Sequence, residues 1–209
     1  GACMTTAALL MALMASGGYC GEGTAPLPAT CSDDVLAYDD GTAWWVTWGG
    51  QYRGTWFHTA DFYPESCDFI AEAAEFWFYH PASWWVADQF VAEVYNGGQN
   101  GPTEMLYDTT VTAEHYAAVI VELPDSLQTA AHFWLVVNTE LSAGGWPSSL
   151  GDNSPNSTDH SFFSDDGEEW EPWIVEGETA CDYLIRAHGE PVGLGLESAT
   201  WGGIKALYH

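Results

Sequence analysis

Short runs of aromatic and β-branched residues, each cut by Gly, Pro, Asn or Asp, recur from Val35 to Ala187. That punctuation limits the chain to strands joined by turns. The expected strands are Val35 to Tyr38, Ala43 to Trp48, Thr55 to Phe62, Phe69 to Tyr79, Gln89 to Tyr95, Glu104 to Thr112, Ala117 to Leu123 and His132 to Thr139. Further strands are expected at His160 to Ser164, Glu169 to Val175 and Asp182 to Ala187. The spacing suits an antiparallel β-sandwich rather than βαβ units. Ala71-Glu72-Ala73-Ala74-Glu75 has helix propensity, but the bulky Phe76-Trp77-Phe78-Tyr79 behind it continues an extended run. Read as a strand, this run places Phe69, Ala71 and Ala73 on one face and Ile70, Glu72 and Ala74 on the other. Ala117 to Leu123 and Phe133 to Val137 are almost continuously apolar, as central strands covered on both faces are.

One stretch departs from this rhythm. Gly144 to Trp173 concentrates Gly, Pro, Asn, Asp and Trp and holds no lysine or arginine. It reads as a long, sharply turning surface loop that leads into a short strand, and then an acidic turn at Asp165-Asp166-Gly167 that leads into another.

Charge narrows the class of partner. The 209 residues carry 30 acidic side chains against three basic ones, Arg53, Arg186 and Lys205, for a net charge of -27. Repulsion excludes nucleic acid and anionic membrane surfaces, which leaves a neutral or cationic partner. The 12 Trp, 10 Tyr and 9 Phe separate this chain from disordered acidic sequences, because such rings bury large apolar areas.

Residues 1-19 are apolar, and no positive charge precedes Arg53. The run Met4 to Ala15 is too short to span a bilayer and has the length of a signal-peptide apolar region, although the basic start is missing. Two readings stand. The segment is a signal-peptide remnant, or it is an assembly or anchor segment in which Met4, Leu9, Leu10, Met11, Leu13 and Met14 pack against another copy or a membrane. Gly1-Ala2-Cys3 also reads like the end of a lipoprotein box, against an ordinary cysteine in an apolar segment. Residues 20-33 form a Gly/Pro-rich linker, 34-190 the sandwich domain and 191-209 a C-terminal tail.

Cys20, Cys31, Cys67 and Cys181 form no CxxC pair, so they point to disulfides in an oxidising, extracellular or cell-surface setting. Four cysteines allow three connectivities. The expected one joins Cys20 to Cys31 across a short loop and Cys67 to Cys181 between two strands.

The order of the pieces carries a resemblance. Tyr38-Asp39-Asp40-Gly41, Phe62-Tyr63-Pro64 and Phe90 to Tyr95 followed by Gly101-Pro102 open the series. Val119 to Leu123, Phe133 to Val137, Ser164-Asp165-Asp166-Gly167 with Trp170, and Asp182 to Ala187 complete it. In that order they resemble the jelly-roll modules of secreted bacterial proteins, which are surface domains like carbohydrate-binding modules. The tail from Thr200 to Tyr208 is similar to short sorting or anchoring tails of such proteins. The resemblance covers Val35 to Gly189 and implies an extracytoplasmic, usually non-catalytic module with no single established ligand.

Candidate sites follow from residue chemistry. Asp39, Asp40, Asp152, Asn153, Asp159, Asp165 and Asp166 put hard oxygens on turns, which structural calcium prefers, without the spacing of an EF-hand. The alternative is a solvated acidic loop. Trp84, Trp85, Trp146, Trp170 and Trp173 offer flat rings for stacking on glycan, against packing beneath loops or at an interface. No HExxH, GxSxG or phosphate-loop motif is present, and the pairs Glu72 with Glu75 and Glu168 with Glu169 read better as solvated faces than as glycosidase acids. The seven histidines are scattered without an i, i+4 pair, and Asn156-Ser157-Thr158 is a glycosylation sequon.

Two non-catalytic functions are therefore expected. One is a structural subunit of a filament, sheath or surface assembly that self-associates through the apolar N-terminus, and the retained apolar segment favours it. The other is a carbohydrate-binding or adhesive module that contacts polysaccharide. Both share one physical consequence, because unscreened acidity destabilises the compact chain. The thermal midpoint is expected to rise with added sodium chloride and with calcium. Scanning calorimetry that finds it indifferent to both removes the screening argument.

Overall fold

Side chains alternate in direction along each strand, so one face turns to a shared interior and the other outward, and on the central aromatic runs both faces are buried. The computed structural model describes residues 19-20, 35-47, 49-81, 88-142, 146-153, 159-175 and 181-192, the first pair as backbone only. In chain order the strands are β1 (Tyr19–Cys20), β2 (Val35–Leu36), β3 (Trp45–Thr47), β4 (Tyr52–His58), β5 (Phe69–Tyr79), β6 (Gln89–Asn96) and β7 (Glu104–Thr112). They continue as β8 (Ala118–Thr129), β9 (His132–Asn138), β10 (Ser148–Gly151), β11 (Ser161–Ser164), β12 (Glu171–Pro172) and β13 (Ile185–Pro191). A single 3-10 turn, Thr59–Asp61, follows β4.

Two antiparallel sheets result. The seven-stranded one runs β1-β3-β10-β5-β13-β2, with β8 on the free side of β5; the six-stranded one runs β12-β11-β4-β9-β6-β7. The principal strands, β2-β13-β5-β8 against β4-β9-β6-β7, follow the jelly-roll order. The fold is the expected all-β antiparallel sandwich. Phe57, Phe69, Phe76, Phe78, Phe90, Phe133 and Leu135, with Ile185 and Ala187 from β13, fill the space between the sheets. Strands β5 and β7 keep their expected bounds. Strand β4 starts earlier and stops at His58, because the Thr59 carbonyl accepts from the Phe62 and Tyr63 amides and turns the chain.

The predicted phase of β5 is corrected by a bulge. Pairing with β8 shifts between Ala71 and Ala73, so Phe69 and Ala71 point inward, then Ala74, Phe76 and Phe78. Ala73 therefore does not share a face with Phe69. The opposing shift on β13 falls between His188 and Gly189. A Cβ at Gly189, whose φ is +155°, would lie 1.9 Å from the Ile70 carbonyl oxygen, so only glycine permits this approach.

The stretch Gly144 to Trp173 is corrected more deeply. It is not one surface loop: β10 lies within it, buried at all four residues, and pairs with both β3 and β5. Strand β11 pairs with β4 and widens the other sheet. The segment thus inserts a strand into each sheet between β9 and β13.

The expected Cys67 to Cys181 disulfide is absent. Strands β5 and β13 are antiparallel, with Phe69 opposite Pro191 and Phe76 opposite Ile185. Cys67 and Cys181 therefore lie at opposite ends of the pair, roughly 25 Å apart at about 3.3 Å per residue, and bridging requires Cα atoms within about 7 Å. Cys31 lies outside the described residues, as do Met4, Leu9, Leu10, Met11, Leu13 and Met14, the sequon and residues 193-209 of the expected tail, whose first residue, Pro191, instead ends β13, and of the Cys20 side chain nothing is described.

On the outer face of the seven-stranded sheet, Arg186 ties the chain to itself. Its Nη2 and Nε donate to Asp39 at 2.6 and 3.0 Å, and its Nη1 donates to Glu75 at 3.1 Å. Glu75, fully buried, also accepts from the Trp77 indole and lies 2.8 Å from His188 Nε2. Burial pushes the Glu75 carboxyl up, but His188, Trp77 and Arg186 outweigh it and hold it below the ordinary value of 4.5. Its folded pKa is depressed, so the stability it contributes is complete above about pH 4.5 and is lost as pH falls through the folded value.

Arg186→Met keeps the stem and strands two buried carboxylates, which is expected to cost roughly 3 kcal/mol or more in denaturant unfolding. Adding Glu75→Gln is expected to return part of that loss. A single variant that unfolds at the parent midpoint removes Arg186 from the fold's support.

Candidate functional site

Residues that alternate outward on the six-stranded sheet build a second aromatic layer, separate from the core. On β4 these are Tyr52, Gly54, Trp56 and His58, which face Asn138, Val136, Trp134 and His132 of β9. Strand β6 adds Glu93 opposite Val136 and Tyr95 opposite Trp134, and β11 adds Phe162 opposite Gly54. Trp56, Trp134, Val136 and Phe162 are buried there, with Tyr52, Tyr95 and Trp170 packed against them.

Burial on an outer face needs a cover, and the acidic turn supplies part of it. Ser164 Oγ accepts from the Gly167 amide at 2.9 Å, and Asp166 Oδ1 accepts from the Glu168 and Glu169 amides at 2.8 and 3.0 Å. These amides hold the Asp166 carboxyl below its ordinary range. The turn delivers Trp170, whose ring centroid lies 5.1 Å from Trp134 and 6.4 Å from Tyr52. A Cβ at Gly54 would meet Val136, Trp134 and Trp170 at 3.0 to 3.2 Å, so any side chain there lifts the indole from its seat.

Beside Trp170 the surface opens into a cleft of about 200 Å³ lined by Tyr52, Tyr95, Pro102, Thr103, Asp166, Gly167, Glu168 and Trp170. Glu93 lies next to it, 4 % exposed, and accepts from the Tyr95 hydroxyl and the Asn138 amide, each at 2.9 Å. Burial raises its carboxyl pKa, these two donors oppose the rise, and Glu140 and Asp108 add to it. Burial and Glu93 likewise push the Tyr95 phenol far above its ordinary range.

Of the described tryptophans expected at a contact surface, Trp170 alone lines this cleft. Trp173 is buried in the core and stacks on Tyr183 at 4.5 Å, so it is not a surface contact. Trp146 is half-buried beside Pro147, and Trp84 and Trp85 lie outside the described residues. Tyr52, Tyr95 and Glu93 went unforeseen, although their period-two spacing from Trp56 and from one another on β4 and β6 was readable.

The seven oxygen-bearing residues expected at calcium do not converge. Asp39 is held by Arg186, Asp40 Oδ1 accepts the Thr42 amide, and buried Asp152 accepts the Asp40 and Asp182 amides. Asp165 and Asp166 belong to the turn on the other sheet, and Asn153 and Asp159 are exposed. Among the described residues no group of three His, Cys, Asp or Glu side chains is placed to hold a metal.

The histidines expected to be scattered partly assemble. His58 and His132 stack at 4.3 Å, Trp56 lies parallel to His132 and to His160, and Tyr38 stacks on His160 at 3.6 Å. Asp61 stands 3.6 Å from both His58 and His160 and accepts the Tyr38 hydroxyl. The signal that sequence offers is weak, since pairing of β4 with β9 brings His132 to His58 and pairing of β4 with the β11 segment brings His160 to Trp56. His160 Nδ1 lies 2.7 Å from the Trp56 carbonyl and so carries the proton of the neutral ring.

Comparison with protein-family models, with curated proteins and with solved structures found no match. The site therefore stands on its own geometry.

The stack makes a pH prediction. Burial, reinforced by the His58 charge, lowers the pKa of His132 below 6.5, and burial also lowers that of His160. The folded state thus favours neutral rings: their contribution is complete above about pH 6.5 and declines as pH falls through the folded values. The thermal midpoint is expected to drop across this window, and less steeply in His132→Gln. Parallel profiles for parent and variant overturn this assignment.

Proposed function

We propose that this chain is a non-catalytic, extracytoplasmic module of a bacterial surface or secreted protein, and that it binds glycan at the Trp170 cleft. The single observation behind this reading is the cleft itself, where the rings of Trp170, Tyr52 and Tyr95 meet the carboxylates of Asp166 and Glu168. Aromatic faces stack on the C–H faces of sugars, and carboxylates accept their hydroxyls. The jelly-roll strand order supports the kinship with carbohydrate-binding surface modules that the motif series suggests.

The absence of catalysis is inferred from how the carboxyls are held. A glycosidase acid needs a proton it can deliver, and both Glu93 oxygens are engaged by Tyr95 and Asn138. Asp166 is fixed as a carboxylate by backbone amides.

A second reading keeps one supporting observation. Strand β1 is an edge of the seven-stranded sheet, so the apolar segment before it joins the fold at an open edge, where a filament or sheath subunit would meet its neighbour.

Tryptophan fluorescence during titration with soluble polysaccharides tests the first reading. Saturable quenching is expected, weakened about tenfold by Tyr95→Ala through loss of one stacking face. A flat titration, together with sedimenting polymers whose formation needs Met4 to Met14, transfers the function to the assembly reading.

A further inference from the structure

The donors that line the Trp170 cleft are already used by the chain. The Tyr95 hydroxyl donates to Glu93, and the Trp170 indole N–H donates to the Gly167 carbonyl at 3.1 Å. Both the hydroxyl and the amide of Thr103 donate to the Asn96 carbonyl, at 3.1 and 2.8 Å. The Gly167 and Glu168 amides are held by Ser164 and Asp166, and Pro102 has no N–H. Among the side-chain donors of the described lining, the Tyr52 hydroxyl is the exception.

The acceptors are the reverse case. Asp166 Oδ2 and both oxygens of Glu168 meet no donor among the described residues, because Asp166 makes its turn contacts through Oδ1. A ligand for this cleft must bring donors and need few in return. An ammonium group, with three N–H donors and no acceptor, is that complement.

Charge points the same way. The three cations of the chain include Arg53 and Arg186, both buried and bonded elsewhere, and Lys205, outside the described residues. Burial and the Glu93, Glu140 and Asp166 charges raise the Tyr52 phenol as well, so one negative field covers the cleft. An ammonium over the faces of Trp170 and the tyrosines adds a cation–π attraction.

We propose that the cleft selects an amine-bearing glycan, a chain of 2-amino-2-deoxyhexose units with free amines, over neutral and acidic sugars. This preference rests on the glycan reading of the same cleft and narrows its ligand class. The amines meet Asp166 and Glu168 while the sugar faces stack on Trp170 and Tyr95.

The test titrates the full chain by calorimetry with a glucosamine hexamer, its N-acetylated counterpart, a glucose hexamer and spermine, at mildly acidic pH where the amines are protonated. The free-amine hexamer is expected to bind about tenfold more tightly than the N-acetylated one, the scale of one charge-assisted bond. Glu168→Gln is expected to remove most of that preference, whereas Glu65→Gln, an equal charge change on an exposed turn elsewhere, leaves it unchanged. Equal binding of the free-amine and N-acetylated hexamers overturns the amine preference and leaves the glycan reading standing. Spermine binding as tightly as the amine hexamer, with no binding of the neutral sugars, overturns the glycan reading. Equal weakening by both variants reduces the attraction to diffuse charge and overturns the proposal, and a chain that binds none of the four loses both readings.

Discussion

In a chain with three basic residues, where each cation sits decides what the remaining surface can do. The fold places both described arginines inside. Arg186 joins Asp39, on the loop before β3, to Glu75 at the middle of β5, so the seven-stranded sheet is pinned across its outer face. Arg53 is fully buried between the sheets, where it donates to the Thr47 and Pro147 carbonyls. Burial lowers its pKa to about 10, which still leaves it charged at neutral pH. It binds the end of β3 to the entry of β10, two segments far apart in the chain. With these cations committed, the outer surface is left to carboxylates, and the same economy that stabilises the interior sets the sign of the field outside.

Both sheets also bury aromatic residues on their outer faces. A sandwich ordinarily leaves those faces polar. Here Trp77 is buried with Val46, Leu150 and Leu184 on one outer face, and Trp134 with Trp56 and Phe162 on the other. The long connection from β9 to β13 contributes to both layers: Leu150 of β10 packs beside Trp77 from within its own sheet, and the Trp170 turn covers Trp134 on the other. The insertion is thus part of the packing.

How much of this the sequence discloses depends on which group makes the contact. Strands β5 and β7 are legible because their side chains define them, through the Phe76-Trp77-Phe78-Tyr79 run that ends β5 and the Thr109-Thr110-Val111-Thr112 run that ends β7. Strand β10 is not legible: Ser148, Ser149 and Gly151 have no strand preference, and their burial comes from backbone pairing to β3 and β5. The bulge in β5 is hidden for the same reason, since the shift is fixed by Gly189 on a strand more than a hundred residues away. At the cleft, Trp170 and Asp166 stand out by residue type, whereas Tyr52, Tyr95 and Glu93 gain meaning only when β4, β9 and β6 lie side by side. The calcium expectation shows the converse: the residues have suitable oxygens and stand at turns, yet the backbone and Arg186 claim several of those oxygens first.

The cleft is also built to hold its shape without a ligand. Its acidic rim is a turn closed by hydrogen bonds from Gly167, Glu168 and Glu169, and its floor is a Trp170 ring wedged over Gly54 against Trp134. Tyr95 is fixed by its bond to Glu93, which Asn138 in turn orients. A loop so held loses little freedom when a ligand arrives, so more of the contact energy appears as affinity. Rigidity has a second effect, on discrimination. Because backbone amides fix Asp166, an acidic sugar meets its repulsion in full, and a cation offsets the negative field that adds to burial in raising the Tyr52 phenol. The proposed selectivity would then draw on the commitment of both described arginines to partners within the fold as much as on the residues that line the cleft.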